Sequence, residues 1–178
     1  LGAPSSGFPG QIAIMIRTLG FAYGALAYAV FFAVFGYMIG FVGNMVVPRS
    51  VDSGVTAPLG QALLMNIALV GLFAVQHSVM ARPRFKAIVT RVVPQAAERS
   101  LYVLASSAAL LLLFWQWRPI GGTVWNVADP AGRTALTALC ALGWTTVLVT
   151  TFLIDHFDLF GLRQVYCRAA QRVPQPAL

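Results

Sequence analysis

The sequence predicts an all-α integral membrane protein with four transmembrane helices and one short interfacial helix. Hydrophobic residues make up 58% of the 178 residues and charged residues only 10%, whereas a soluble domain carries nearer a quarter charged residues. The mean hydropathy of +0.77 agrees with a chain whose solvent is the bilayer. The apolar residues also form continuous runs, which argues against the alternating strands of a membrane β-barrel. At this length the chain forms one domain.

Four windows of the sequence contain no Asp, Glu, Lys or Arg: residues 18–48, 53–81, 100–117 and 134–154. A helix needs about 20 apolar residues to cross the hydrocarbon core, so each window holds one span. They predict helices near 18–44, 59–81, 100–117 and 134–156, which form one transmembrane domain over residues 15–166. Residues 1–14 differ in character from this domain and are expected to form a flexible extension. Residues 167–178 lack an apolar period and are expected to form an atypical, disordered tail.

The segment after the second span predicts the interfacial helix. Its sequence over residues 82–94 is RPRFKAIVTRVVP, which places the apolar side chains on one helical face and Arg84, Lys86 and Arg91 away from it. A short basic amphipathic helix of this kind lies on a membrane surface.

The net charge of +7 reflects orientation in the membrane, because the basic residues are spread over several loops. Nine of the twelve Lys and Arg residues fall on the side that carries both chain termini, and only Arg49, Arg118 and Arg133 fall on the other. Lys and Arg favour the cytoplasmic side of a membrane, so both termini are expected in the cytoplasm. We expect no nucleic-acid partner.

With this orientation, several ionisable side chains lie at one depth, near the cytoplasmic ends of the spans. His77 lies near the end of the second span, and Asp155, His156 and Asp158 lie at the end of the fourth. Ionisable groups at membrane depth are costly and usually mark a functional site or pair with one another. An acid beside an imidazole, as in Asp155-His156, can set the tautomer of the ring. These four residues are therefore the candidate catalytic groups.

The residues by themselves leave several chemistries open. His77 and His156 on two helices could ligate a b-type haem. The same histidines with a carboxylate could hold zinc, but no HExxH or CxxC spacing supports a metal site. The polar layer could instead handle protons for transfer to or from a small substrate. A non-catalytic membrane subunit, whose polar layer only pairs charges, is the remaining alternative.

Five motifs follow one another along residues 15–166. They are Gln76-His-Ser-Val-Met-Ala-Arg82, Phe85-Lys86, Glu98-Arg-Ser-Leu-Tyr-Val-Leu104, Phe114-Trp-Gln-Trp-Arg-Pro119 and His156-Phe-Asp-Leu-Phe-Gly-Leu-Arg-Gln164. Together they resemble the membrane methanethiol S-methyltransferases. These are bacterial integral membrane enzymes, distantly related to the isoprenylcysteine carboxyl methyltransferases.

The resemblance implies an enzyme of the bacterial inner membrane that moves a methyl group from S-adenosylmethionine to methanethiol and gives dimethyl sulfide. Its implied partners are a small thiol and the lipid bilayer. The thiol must lose its proton, because a thiolate is a far better nucleophile than a thiol. The resemblance implies that His77 or His156 assists this step, oriented by Asp155 or Asp158. Arg163 and Gln164 follow the last span, where related enzymes begin their cofactor-binding region, and are expected to contact the cofactor.

The chain departs from the family after Tyr166. The family continues with a further span and a cytoplasmic segment that carries an Arg-His-Pro motif and a later Glu, which build most of the cofactor pocket. Neither histidine of this chain lies in such a motif, and residues 167–178 read CRAAQRVPQPAL. We therefore expect a truncation or a change of reading frame, and an isolated chain that lacks the activity of a longer parent.

The charge bias predicts the topology. Green fluorescent protein fused after Thr90 is expected to fluoresce, because the basic loop stays in the cytoplasm. Alkaline phosphatase fused after Gly54 is expected to be active, because it matures only outside the reducing cytoplasm. The two exchanged fusions serve as controls and should be silent. Signals from the exchanged pair alone would contradict the orientation.

Overall fold

A computed structural model describes residues 8–123, 126–153, 163, 166 and 167. Five helices follow one another in this part of the chain: α1, Phe8–Gly43; α2, Leu59–Met80; α3, Pro83–Val89; α4, Gln95–Gln116; and α5, Pro130–Leu153. The described ranges contain no strand. Helices α1, α2, α4 and α5 are long and apolar enough to cross a membrane. The predicted fold class is confirmed, and α3 lies where the short helix was predicted.

Prolines mark the beginnings of four helices. Pro58 and Pro94 directly precede α2 and α4, and Pro83 and Pro130 are the first residues of α3 and α5. A proline suits the first turn of a helix because its fixed φ is already helical and its missing N–H would have no partner there. These positions explain why the predicted boundaries of α2 agree closely with the structure.

Helix α1 begins at Phe8, well before the predicted residue 18, and therefore includes residues 8–14 of the predicted extension. The charge of Arg17 marks the end of an apolar stretch but does not end a helix. No proline follows Pro9 until Pro48, so nothing in the sequence interrupts the helical backbone. Residues 1–7 and 168–178, the rest of the predicted extension and tail, lie outside the described residues.

Helix α4 contacts both α1 and α2. The side chain of Phe114 packs on Tyr37 and Phe41 of α1, with ring centroids 5.0 and 4.9 Å apart. Phe41 also meets Trp117 at 5.7 Å, so α1 and α4 run in the same direction. These aromatic contacts are the centre of the buried cluster, which consists of Val34, Phe41, Leu69, Leu113 and Phe114.

A buried asparagine joins α2 to the end of α4. Asn66 is 5% exposed. Its Nδ2 donates to the carbonyl oxygen of Arg118 at 2.8 Å, and its Oδ1 accepts the backbone N–H of Arg118 at 3.0 Å. Arg118 follows the last turn of α4, where backbone groups lack helical partners. One side chain therefore satisfies both polar groups of one residue's backbone and holds the start of α2 against the end of α4.

The loop between α1 and α2 covers the same end of the bundle. Arg49 donates to the carbonyl oxygen of Trp115, and Nε1 of Trp117 donates to the carbonyl oxygen of Val51 at 2.9 Å. The hydroxyl of Tyr37 donates to the carbonyl oxygen of Arg49 at 3.2 Å. These bonds tie the loop to both α1 and α4, so the polar backbone at this end has partners within the chain.

Helix α5 has few contacts with the rest of the described chain. None of its residues is buried, and Trp144 meets Phe35 of α1 at 5.6 Å between ring centroids. The hydroxyls of its six threonines all donate to carbonyl oxygens three or four residues earlier in the same helix. A helix whose polar groups are satisfied internally is stable against lipid without a protein neighbour.

Replacing Asn66 by Ala is expected to lower the free energy of unfolding by about 1–3 kcal/mol, because the backbone polar groups of Arg118 lose their partners. The measurement is unfolding in mixed detergent micelles followed by circular dichroism. Asn126→Ala is the matched control, since Asn126 is exposed and its replacement should change stability by less than about 0.5 kcal/mol. Equal effects of the two changes would contradict the role of Asn66.

Candidate functional site

The described part of the polar layer centres on His77, near the carboxyl end of α2. The hydroxyl of Tyr102, on α4, lies 2.9 Å from Nδ1 and 2.8 Å from Nε2 of His77. Ser106, one turn further along α4, places its Oγ 3.3 Å from Nδ1. Because the end of α2 meets the beginning of α4, the two helices are antiparallel, and this site lies at the opposite end of their interface from Asn66.

Aromatic rings hold the imidazole in place. The ring of Phe73, one turn earlier on α2, lies 5.3 Å from that of His77, and the ring of Tyr102 lies at 5.1 Å. Such contacts between rings restrict the imidazole to few orientations. His77 is nevertheless exposed in the described chain. The ring is thus positioned by its neighbours and still accessible to a small molecule.

Gln76, the residue before His77, extends the network. Its Nε2 donates to Ser106 Oγ at 3.3 Å and to the sulfur of Met80 at 3.1 Å. Its carbonyl Oε1 is buried and has no hydrogen-bond partner in the described part of the chain. Leaving a buried acceptor unpaired costs about 1–3 kcal/mol. A bound ligand that donates a hydrogen bond to Oε1 of Gln76 would explain why this buried acceptor has no partner in the described chain.

An ion pair joins α3 to the first turn of α4, next to this site. Nζ of Lys86 lies 3.7 Å from Oε1 of Glu98, whose side chain is only 13% exposed. Because the Lys86 side chain is 39% exposed, this ion pair contributes little stability, about 0–1 kcal/mol. It links α3 to the end of α4 that meets the His77 end of α2. Glu98 is therefore engaged in the fold.

Of the six predicted site residues, two lie in the described part of the chain: His77, and Arg163, which is partly buried. The other four lie outside the described residues: Asp155, His156, Asp158 and Gln164. The predicted pairing of His77 with an acid, and the haem interpretation through His156, both depend on those four. In the ranges that the structure describes, no three His, Cys, Asp or Glu side chains come close enough together to hold a metal ion.

The sequence interpretation did not single out the residues that contact His77 most closely. Tyr102 and Ser106 are separated by four residues, which puts them on one face of α4. Their depth along the third span also matches that of His77 along the second. Single hydroxyls are common in membrane helices, so this signal becomes informative only when the partner helix is known.

A histidine held by polar side chains between two membrane helices defines an integral membrane protein with a candidate proton-transfer site. Comparison with known proteins finds close relatives of most of this chain. The chain is 60% identical over 152 residues to the methanethiol S-methyltransferase of Mycobacterium tuberculosis, which covers 85% of this chain and 62% of the relative. It is 54% identical over 150 residues to that of Crocosphaera subtropica, with 84% and 59% covered. Over most of its length the chain is similar to curated proteins named methanethiol S-methyltransferase.

The chain spans about three fifths of the length of these relatives. A more distant relative is nurim of Xenopus laevis, 35% identical over 108 residues, which are 57% of this chain and 38% of nurim. No family model and no solved structure matches the chain. The names of the closer relatives support methyl transfer and give no support to the haem interpretation.

Replacing Gln76 by Leu removes a buried acceptor that has no partner together with the long Nε2 bonds to Ser106 and Met80. The gain and the loss offset each other, so the free energy of unfolding is expected to change by less than about 1 kcal/mol. Gln61→Leu is the matched control on the same helix, where the side chain is exposed. Thermal unfolding in detergent is the measurement. A loss of more than about 1 kcal/mol for Gln76→Leu alone would show that Oε1 is already paired.

Proposed function

We propose that this chain takes part in methyl transfer from S-adenosylmethionine to methanethiol, with dimethyl sulfide as the product. The observation that carries the proposal is the 60% identity over 152 residues to the methanethiol S-methyltransferase of Mycobacterium tuberculosis. Gln76 and His77 lie within the Gln76–Arg82 motif and Tyr102 within the Glu98–Leu104 motif, on which the resemblance rests. The fold brings these two motifs together, because α2 carries His77 and α4 carries Tyr102.

His77 is proposed as the base that removes the proton of the thiol. A neutral imidazole can accept a proton near neutral pH, and the resulting thiolate is the reactive nucleophile. The exposed edge of the His77 side chain admits a substrate as small as methanethiol. His156, oriented by Asp155 or Asp158, is the second residue that we propose for this proton transfer.

The polar groups around His77 fit a donor molecule that carries N–H and O–H groups. Oε1 of Gln76 is a buried acceptor without a partner in the described chain, and S-adenosylmethionine carries an ammonium group and ribose hydroxyls that can donate to such an acceptor. When bound, it supplies the methyl group as a sulfonium. Arg163 and Gln164 are the further contacts that we propose for this molecule.

The site is proposed to face the cytoplasm of a bacterium, with the four spans in the inner membrane and both termini inside. The excess of Lys and Arg on the His77 side supports this orientation. The methyl donor is made in the cytoplasm, so a site at that face is accessible to it. A small apolar thiol can reach the same depth from the lipid or from water.

The test compares two proteins in isolated membranes: this chain, and the chain extended with the part of the Mycobacterium tuberculosis relative that follows the matched residues. Each receives methanethiol and S-adenosylmethionine labelled in the methyl group, and labelled dimethyl sulfide is measured by gas chromatography. We expect product from the extended chain. His77→Ala should lower its kcat/KM by about 10²-fold or more, because the base is lost.

Asn126→Ala is the control for His77→Ala, since it changes an exposed loop residue away from the site. Product from the extended chain alone would assign the missing contacts to the added part. If neither protein forms labelled dimethyl sulfide while the Mycobacterium tuberculosis relative does so under the same conditions, the proposed function is wrong.

A further inference from the structure

Both ring nitrogens of His77 face the same phenol. The hydroxyl oxygen of Tyr102 is 2.8 Å from Nε2 and 2.9 Å from Nδ1, while Ser106 Oγ is 3.3 Å from Nδ1 alone. Protons join an imidazole only at these two nitrogens. The Tyr102 hydroxyl therefore lies within hydrogen-bond distance of the nitrogens at which His77 can take up a proton.

The direction of the hydrogen bonds follows from the groups that can only donate. Nε2 of Gln76 is an amide nitrogen and donates to Ser106 Oγ. That oxygen has a second lone pair, which can accept a proton from Nδ1 of His77.

The short bond between Tyr102 and His77 has a preferred direction too. A phenol is a stronger donor than a neutral imidazole N–H, and an imidazole nitrogen is a stronger acceptor than a phenol oxygen. Tyr102 has one proton and donates it to one nitrogen at a time. Because Nδ1 is bonded to Ser106, we assign the phenol proton to Nε2.

We infer that Tyr102 passes the proton of the thiol substrate to Nε2 of His77, and that Ser106 is a positioning residue that holds His77 in its Nδ1–H form. The inference rests on the proposed function. In the transfer, the S–H bond breaks and its proton forms a new O–H bond on Tyr102. The original phenol proton moves at the same time to Nε2. The products are a thiolate, which keeps the electron pair, and an imidazolium.

The exposure of His77 and Tyr102 is compatible with a proton that passes from the thiol to Tyr102 and then to His77. His77 is exposed in the described chain and Tyr102 is half-buried beside it, whereas Gln76 is bonded to Met80 and Ser106. Tyr102 is the member that can contact both His77 and a bound thiol.

Tyr102→Phe in the extended chain tests the transfer. The phenyl ring preserves the contact with His77 and removes only the hydroxyl. We expect kcat for methanethiol to fall about 10²-fold near neutral pH, with KM little changed. The loss should shrink as the pH approaches the ionisation of methanethiol, because a substrate that is already a thiolate needs no base. A structural defect would persist at every pH.

Tyr37→Phe is the matched control. It also removes a phenol hydroxyl that makes a hydrogen bond, to the carbonyl oxygen of Arg49, but at the other end of the bundle. We expect it to change stability slightly and the pH profile not at all. If the extended chain is active and Tyr102→Phe behaves like Tyr37→Phe, the inference is overturned while the proposed function stands.

A second measurement needs no catalysis. The chain has two histidines, so His156→Gln leaves His77 as the single imidazole in a protein labelled with ¹⁵N-histidine. We expect its nuclear magnetic resonance spectrum in detergent to show a protonated Nδ1 and an unprotonated Nε2. Tyr102→Phe should shift the Nε2 resonance and Ser106→Ala should increase the share of the other tautomer. If His77 in the His156→Gln protein, with Tyr102 and Ser106 unchanged, is protonated at Nε2, the inference is overturned, whether or not methylation is observed.

Discussion

The two hydrogen bonds between Asn66 and the backbone of Arg118 determine how α2 lies along α4, and the histidine site depends on that alignment. His77 lies 11 residues after Asn66 on α2, and Ser106 lies 12 residues before Arg118 on α4. With a rise of 1.5 Å per residue, the first separation is about 17 Å, and the second is about 15 Å of helix to Gln116 followed by two residues outside the helix. The polar contacts at the two ends of the interface are therefore compatible with one antiparallel alignment. A shift of one residue would turn His77 by about 100° around α2 and away from Tyr102.

The two ends of the α2–α4 interface differ in how fully their polar groups are hydrogen-bonded. At the end of Asn66, the side chains and the loop from α1 satisfy the exposed backbone, as expected where a helix ends close to lipid. At the end of His77, a buried acceptor of Gln76 has no partner in the described chain, and the imidazole remains exposed. Departures from full hydrogen bonding tend to occur where a protein binds or reacts. This contrast distinguishes the polar groups that hold the bundle together from those available to a substrate.

Much of the architecture was predictable because the bilayer imposes simple requirements. Charge-free windows indicated the four spans, since a span needs a minimum apolar length. In the structure, prolines stand at the starts of α2 and α3, where a proline favours a helix. The beginning of α1 was not predictable in the same way. Arg17 ends the apolar window, but a helix can continue beyond the membrane with no apolar requirement, and the structure begins it at Phe8.

The sequence alone determined that this is a helical membrane protein and that His77 is unusual, because an ionisable group within an apolar span is rare and costly. Its motifs, in order along the chain, also indicated the resemblance to the methanethiol S-methyltransferases, and relatives of that name match most of the chain. Only the tertiary structure decided which groups meet His77. Tyr102 and Ser106 lie more than twenty residues away in sequence, and nothing local distinguishes them from other hydroxyls of membrane helices. Their contact arises from the antiparallel packing of α2 on α4, a property of the helix pair that neither helix encodes by itself.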